Sequence, residues 1–592
     1  MKTSLLPVSL AVAACLAFPG LAPAAPDATQ PHLETRHGVR QLVVDGQPFL
    51  MLSGELHNSS TSSKEYMKPI WPQLARRNLN TVLAVITWEL IEPQPGHFDF
   101  TTVDDTIQGA RDSHLRLVIL WFGSWKNGES SYQPAWVKAD PQRYPWAKDR
   151  AGKTLNLLST FGDATRDADA RAFAALMRHL REVDGKEHTV LAMQVENEVG
   201  VLGDSRDFVP AANDAFAKPV PKELMNYLVQ HQDTLAPELK TVWAANGNKP
   251  AGTWAEVFGP GKPDSAKNAA QLSQDEKDTL WRQFDWPVDE IFMAWRYSTY
   301  INKVAAAGKA EYNIPYYCNT WLQQPGTPRP GEFPSGCPEP EVHDVWRAGA
   351  PNIDILAPDI YIPQFEEVCQ RYTRNGNPLL IPEAASTPDN ALLAVLKYNA
   401  MCFSPFGIEG RGGFNPQAAP GVGAATPDSL AQTYAILGYL APVILENQGR
   451  GTITRLPAVT DTNAPPQELK LGDYTLHFAY GAPNQGGGRR GGGGGPRAYG
   501  PYPPVDNNSP ARLVINSAPG EYYLVGGPMR VSFTANQPDR GDVVLGSFDE
   551  TMYVDGHWVP GRRLNGDETS DNRNWPALGS FGIYRYSVFQ RQ

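Results

Sequence analysis

Short apolar runs that stop at polar or aromatic residues recur from about residue 40 to residue 410. LMLSGEL ends near Glu55, TVLAVITW near Trp88, RLVILWFG near Gly123 and VLAMQVENE at Glu198. YYCNTW then ends near Trp321, ILAPDIY at Tyr361, PLLIPEA near Glu383 and YNAMCFSPFG near Gly407. Near-continuous apolar runs are the pattern of parallel strands buried on both faces. Amphipathic stretches lie between and after them, such as ARAFAALMRHLREV (170–183) and SLAQTYAILGYLAPVIL (429–445). Eight such units predict an α/β fold, a (β/α)8 TIM barrel. A doubly wound sheet would also alternate, but its first turn usually carries a glycine fingerprint, and LSGELHNSS is not one.

The segment from about 200 to 312 is too long for a simple crossover. Within it LKTVWAANG (239–247) reads either as a ninth strand or as part of an inserted lobe. After Asn447 the runs become short, aromatic and β-branched, as in YTLHFAYG, ARLVINS, EYYLVG, MRVSFTA and DVVLGSF, with turn residues between them. These predict a smaller antiparallel, sandwich-like β-domain over 448–592, following a barrel over 26–447. The glycine-rich stretch 484–504 buries too little apolar surface to offset its ordering entropy and reads as a mobile loop.

Composition narrows the function. Among 592 residues, 41% are hydrophobic, with 15 Trp, 23 Tyr and 22 Phe, so a large core is available. The net charge of −11 would repel a phosphate backbone, which argues against nucleic acid as a partner. Aromatic faces and carboxylates together suit a neutral sugar, as stacking platforms and hydroxyl acceptors. Residues 1–25 carry an early Lys, an apolar stretch and small residues at Ala22 and Ala24, the pattern of a secretory signal. Export to the periplasm or beyond is expected, with lipid anchoring through Cys15 as the alternative. No later run is long enough for a transmembrane segment. Cys318, Cys337, Cys369 and Cys402 show no metal-binding spacing. Export would permit a bridge, Cys337 with Cys369 being best placed, and four buried thiols are the equal alternative.

Active sites of such barrels sit at the carboxyl ends of the strands. Two of those ends carry a conspicuous glutamate, Glu198 after the fourth run and Glu383 after the seventh. Each alone could cap a helix or form a salt bridge. Together on one rim they form the pair that glycosidic hydrolysis needs, an acid for the leaving oxygen and a carboxylate opposite it. Asn197 is placed to bind a sugar 2-hydroxyl, or else to cap the backbone. Tyr361 is placed to hydrogen-bond Glu383. Trp88, Trp125 and Trp321 stand at or beyond strand ends, where an indole either stacks on a sugar or packs the barrel. Glu55 and His57 are candidates for binding hydroxyls, while Glu92 and Asp99 suit fixing the loop after the second strand. No ligand cluster such as HExxH is present, so neither metal nor cofactor is called for.

QVENEVG is similar to the sequence around the acid/base of family 35 glycoside hydrolases, where the Glu directly after Asn is catalytic, here Glu198. LSGELH (52–57) resembles that family's SG-x-x-H motif, and TWELIEPQPGHFDF (87–100) resembles its W-x-x-x-EP-x-PG-x-x-DF segment. PLLIPEA aligns with the segment that supplies the nucleophile, here Glu383. The resemblance covers roughly residues 40 to 410. It departs at Asn58 and Ser59, where the family has Tyr and Arg, and at WFGSWKNG, which lacks the usual Ala-Glu-Trp. It implies a retaining exo-β-galactosidase of a divergent bacterial branch with a trailing β-domain, a branch associated with removing galactose from plant xyloglucan side chains. The expected partner is an oligosaccharide or polysaccharide side chain. The alternatives are another retaining β-glycosidase, acting on β-glucosides or β-mannosides, and a carbohydrate-binding protein without turnover. The pattern specifies no oligomeric state.

Overall fold

The computed structural model describes residues 29–410 apart from 264 and 268–270, then 428–456, 466–480, 505–506, 509–537, 541–564, 575, 577–578 and 580–591. The candidate signal segment 1–25 and the glycine-rich stretch 484–504 lie outside the described residues.

The eight expected strands are present: β1 (Met51–Glu55), β2 (Thr81–Thr87), β3 (Arg116–Phe122), β4 (Val190–Val195), β5 (Tyr316–Trp321), β6 (Ile355–Asp359), β7 (Leu380–Ala384) and β8 (Cys402–Pro405). Each pairs in parallel with its neighbour in chain order, β8 returns to β1, and a parallel bridge from Ile360 to Ala384 joins β6 to β7. The sheet is therefore a closed (β/α)8 barrel. Both strand faces are buried, which is why the runs read as continuous. Leu83 and Val85 of β2 and Val118 and Leu120 of β3 fill the interior, while Val82, Ala84 and Ile86 with Leu117, Ile119 and Trp121 pack outward against the helices.

Helices Asp163–Asp184 and Pro287–Glu311 lie against each other on the outer wall. The inserted lobe precedes the second of them, and LKTVWAANG is helical in it, part of Pro237–Ala245. The strand alternative fails because Leu239 and Trp243, four apart, are the buried positions, and Pro237 opens the first turn. The hydrophobic pattern does not single out one element. Strands His32–Arg36, Val39–Val44 and Gln47–Phe49 form an antiparallel sheet, from which Leu42 and Val44 join the interior barrel cluster.

Among the described residues beyond the helix Ala441–Asn447, two antiparallel sheets, of six and four strands, face each other. Their shared core includes Leu476, Phe478, Val531 and Phe533 from the smaller sheet and Val514, Leu524, Phe548 and Tyr586 from the larger. Leu513, Ile515, Tyr523 and Ile583 of the larger sheet belong to the same continuous apolar cluster as the barrel, so the β-domain is packed onto it. Cys318, Cys337, Cys369 and Cys402 are four free buried thiols, which decides against the Cys337–Cys369 bridge. Among the described residues no helix is long and apolar enough to cross a membrane.

Candidate active site

Strand β4 ends at Val195, and the next three residues break the strand's alternation. Glu196 and Glu198 both take the left-handed backbone region, with φ of 63° and 45°, a conformation that costs a non-glycine residue on the order of 1–3 kcal/mol. Glu196 anchors the turn. Its carboxyl accepts the backbone N–H of Ser124 at 3.1 Å and of Trp125 at 2.8 Å. It also faces Asp169, which accepts from Trp121 Nε1 at 2.9 Å and Ser124 Oγ at 2.6 Å. Burial pushes the carboxyl of Glu196 well above the usual range, and the neighbouring Asp169 pushes it further. Gly123 makes room for this cluster, since a Cβ there would stand 2.6 Å from Glu196 Oε1.

Glu198 is thereby turned to the other side, into a cavity of about 520 Å³ at the carboxyl ends of the strands, lined also by Glu383, Asp359, Lys126, Trp321 and Tyr361. Oxygen atoms of Glu198, Asp359 and Glu383 all lie within 4.8 Å of one another. Asn319 of β5 ties two of them together: its Oδ1 accepts Glu198 N at 2.9 Å and its Nδ2 donates to Asp359 Oδ2 at 2.7 Å. Glu383 receives a hydrogen bond on each oxygen, from Asn197 Nδ2 at 3.3 Å and from the Tyr361 hydroxyl at 2.8 Å.

Glu198 sits in a different field. Burial first, and the charge of Glu383 second, raise it to about 7, against the lowering influence of Lys126 and of a hydrogen bond with Asp359. Asp359 is itself raised well above its ordinary value by burial and by Glu383, Glu198 and Glu55. Burial thus favours the protonated form at Glu198 and Asp359, while Glu383 beside them carries two hydrogen-bond donors. Carboxyls in such unlike surroundings suit an acid and its partner carboxylate.

Burial alone would lower the pKa of Lys126, but Glu383, Glu198, Glu55 and Asp359 together outweigh it and hold the ammonium charged. A two-residue turn presents it: Asn127 and Gly128 have φ of 53° and 63°, closed by Lys126 N to Glu129 O at 2.7 Å. Three close carboxylates can hold a divalent cation or share protons. The ammonium already supplies a positive charge among them, which favours the second use.

The structure gathers Glu198, Glu383, Tyr361 and Trp321 at this cavity, with the fully buried Asn197 behind Glu383 and bonded to it. Glu55 lies fully buried, raised well above its usual value by burial and then by Glu383, and neither of its oxygens has a hydrogen-bond partner. His57 is at the rim, its Nδ1 3.0 Å from Glu409 Oε1. The stacking role expected of Trp88 and Trp125 is corrected. Trp88 is 0% exposed, donating to Glu92 Oε2 at 2.8 Å and edged by Trp136; Trp125 is 1% exposed, donating to Leu158 O at 3.1 Å and packed on Tyr297 and Tyr300. With their faces covered, both are barrel packing. Glu92 and Asp99 fix their loop, accepting Gly96 N at 2.7 Å and Thr101 N at 2.9 Å.

Sequence reasoning did not single out Asp359, Lys126 or Asn319. Asp359 stands in ILAPDIY, at a strand end like the two glutamates, so the same criterion applied to aspartate would have found it. Lys126 and Asn319 carry no comparable signal, since a lysine beside Asn-Gly ordinarily marks an exposed turn.

A model of glycosyl hydrolases family 35 matches residues 41–306, and a model of a domain of unknown function, DUF5597, matches residues 430–576. A β-galactosidase of Xanthomonas manihotis is 27% identical over 270 residues, covering 45% of this chain and 40% of that protein. Beta-galactosidase-1-like protein 3 of Homo sapiens is 25% identical over 217 residues, covering 36% of this chain and 31% of that protein. The chain thus spans two fifths or less of the length of these curated relatives. Among solved structures, a β-galactosidase from the psychrophilic Marinomonas ef1 is similar at 13% identity and a TM-score of 0.43, over 68% of this chain and 61% of that one.

Proposed function

From the match of the family 35 glycosyl hydrolase model to residues 41–306, we propose that this chain is a retaining exo-β-galactosidase removing terminal β-D-galactosyl residues, with galactosylated xyloglucan oligosaccharides as the favoured source. The observation that carries this reading is the approach of the Glu198 and Glu383 oxygens to within 4.8 Å. Retaining glycosidases place the two carboxyl groups about 5–5.5 Å apart, whereas inverting ones leave about 6.5–9.5 Å for a water.

In this reading Glu383, oriented by its hydrogen bonds from Tyr361 and Asn197, attacks the anomeric carbon. Glu198 donates its proton to the departing oxygen, and a glycosyl ester forms on Glu383. That ester has lost the negative charge of Glu383, which is the second cause of the raised pKa of Glu198. Glu198, left as a carboxylate by the first step and no longer facing that charge, takes a proton from the incoming water, whose oxygen displaces Glu383 and restores the starting state. Asn197, whose Nδ2 reaches Glu383 Oε1 at 3.3 Å, is the candidate for binding the sugar 2-hydroxyl. Trp321, at the cavity wall, offers an indole face.

The proposal includes export, resting on the signal pattern of residues 1–25, which the N-terminus of the mature protein would test. The decisive experiment is hydrolysis of galactosylated xyloglucan oligosaccharides with the anomeric configuration of released galactose followed from the first turnover. Release of β-galactose, lost in Glu383→Ala and returned as a glycosyl azide on adding azide, is the expected result. First-formed α-galactose would overturn retention. Faster cleavage of β-glucosides or β-mannosides in the same panel would replace the substrate, and binding without any product would replace the enzyme by a carbohydrate-binding protein.

A further inference from the structure

Of the three carboxyls that converge in the cavity, the double displacement uses Glu198 and Glu383 and leaves Asp359, at the end of β6, without a task. We propose that Asp359 is a positioning residue for the acid/base: it stays a neutral carboxylic acid through both chemical steps and donates its O–H in a hydrogen bond to one oxygen of Glu198. The role rests on the glycosidase reading of the cavity.

Asn319 locates the proton. Its Oδ1 accepts the backbone N–H of Glu198 at 2.9 Å, and since that N–H can only donate, the amide cannot be turned round. Its Nδ2 therefore faces Asp359 and donates to Oδ2 at 2.7 Å. The other oxygen, Oδ1, is buried and has no hydrogen-bond partner, in a residue only 3% exposed. A bare carboxylate oxygen in that position would carry a large desolvation cost, whereas a protonated one becomes a donor in search of an acceptor. Oxygens of Glu198 and Glu383 lie within 4.8 Å. Both oxygens of Glu383 already accept, from Asn197 and Tyr361, so the carboxyl of Glu198 is the acceptor left open. Two carboxyl groups can bond each other only through a proton. Burial is the main reason that Asp359 keeps its own, and the bond to Glu198 adds to it.

The charge of the cavity makes the same assignment. Asp359 faces Glu55 of β1, Lys126 beyond β3, Glu198 beyond β4, Tyr317 of β5, its own neighbour Tyr361 and Glu383 of β7. Burial favours the neutral forms of Glu55 and of both phenols. Before the first step the carboxylate of Glu383 balances the Lys126 ammonium, and in the glycosyl ester the carboxylate of Glu198 does so. A neutral Asp359 keeps one negative and one positive charge at each stage, while an ionised one would add an uncompensated buried charge. Donation to one oxygen of Glu198 also leaves that residue's proton on the other, free to meet the departing oxygen.

Asp359→Asn keeps an N–H donor in place of the O–H, and Asp359→Leu keeps the volume without one. On an unactivated alkyl β-galactoside, kcat/KM is expected to fall by less than about tenfold in Asp359→Asn, with the alkaline limb of its pH profile in place. In Asp359→Leu it should fall by about 10- to 100-fold, with that limb carried to higher pH because Glu198 has lost a donor. A limb moved to lower pH in Asp359→Asn would show an ionised Asp359 and overturn the proposal, as would equal profiles for the two variants. Difference infrared spectroscopy of wild type against Asp359→Asn at neutral pH reads the proton directly, even where Asp359→Leu does not fold. Loss of a carboxylic-acid C=O band supports the proposal, and loss of a carboxylate band overturns it. If the wild type cleaves no glycoside, it is the glycosidase reading that has failed, and the infrared band alone decides whether Asp359 is the donor.

Discussion

The hydroxyl of Tyr361 donates to Oε2 of Glu383 at 2.8 Å, reaching from the end of β6 to the end of β7. Tyr361 is itself about half exposed, and burial together with the charge of Glu383 raises its pKa, so it acts as a permanent donor. Replacing it by Phe removes a hydrogen bond to a charged group, worth about 1.5–3 kcal/mol, without opening the core. Tyr361→Phe should lower kcat/KM by roughly 10- to 100-fold with little change in melting temperature. Steady-state kinetics beside a thermal melt would check this, and unchanged kinetics would remove Tyr361 from the nucleophile's support.

Glu196 and Glu198 should fail in different ways. Glu198→Gln leaves a group that cannot donate a proton to the leaving oxygen, so kcat/KM on an unactivated galactoside should fall by about 10²- to 10⁴-fold while the fold persists. Glu196→Gln disturbs a buried carboxyl that accepts two backbone N–H groups and meets Asp169. Its main effect should be a lower melting temperature, with the pH optimum unmoved. Reversal of these two phenotypes would exchange the assigned roles.

A proton donor must be protonated before the first chemical step. With Glu198 raised to about 7, kcat/KM should decline as pH rises through that value. Lys126 opposes the rise, so Lys126→Met should carry the alkaline limb of the kcat/KM profile to higher pH. A shift toward lower pH would show that the ammonium does not act on this group.

Away from the cavity, Glu290 is raised to about 8 by burial, although Gly336 N at 2.9 Å and Ser335 Oγ at 2.9 Å donate to it. Its folded-state pKa lies above the unfolded one. Its contribution to stability is therefore fully present below the ordinary carboxylate range and lost as pH rises through about 8. Glu290→Gln is neutral at every pH. The difference in melting temperature between variant and wild type should move in the variant's favour from pH 5 to pH 9, and a pH-independent difference would refute the assignment.

The three converging carboxylates also allow a test by metal removal. If Lys126 rather than a cation balances Glu198, Asp359 and Glu383, activity should survive exhaustive treatment with a chelator. Loss of activity restored by a divalent ion would make the trio a metal centre instead.

The barrel was legible because both faces of its strands are buried, so each strand announces itself as an apolar run without help from its neighbours. The catalytic candidates were legible for a related reason. VENE and IPEA interrupt such runs with carboxylates at the ends where barrels place their chemistry. The tryptophans were not legible in the same way. Trp88, Trp125 and Trp321 occupy similar positions along their runs, yet only Trp321 lines the cavity, because covering an indole face depends on Trp136, Tyr297 and Tyr300, which come from other segments.

What the sequence determined by itself was local: eight apolar runs, the change of period after Asn447, and carboxylates at two strand ends. The tertiary structure alone decided which groups share a field. Two left-handed residues turn Glu196 outward and Glu198 inward, and Asp359 from the end of β6 and Lys126 from the turn after β3 join the pair from distant parts of the chain. Periodicity records what each residue's own element buries. Protonation depends on burial and on charges brought together through space, and those follow only once the barrel has closed.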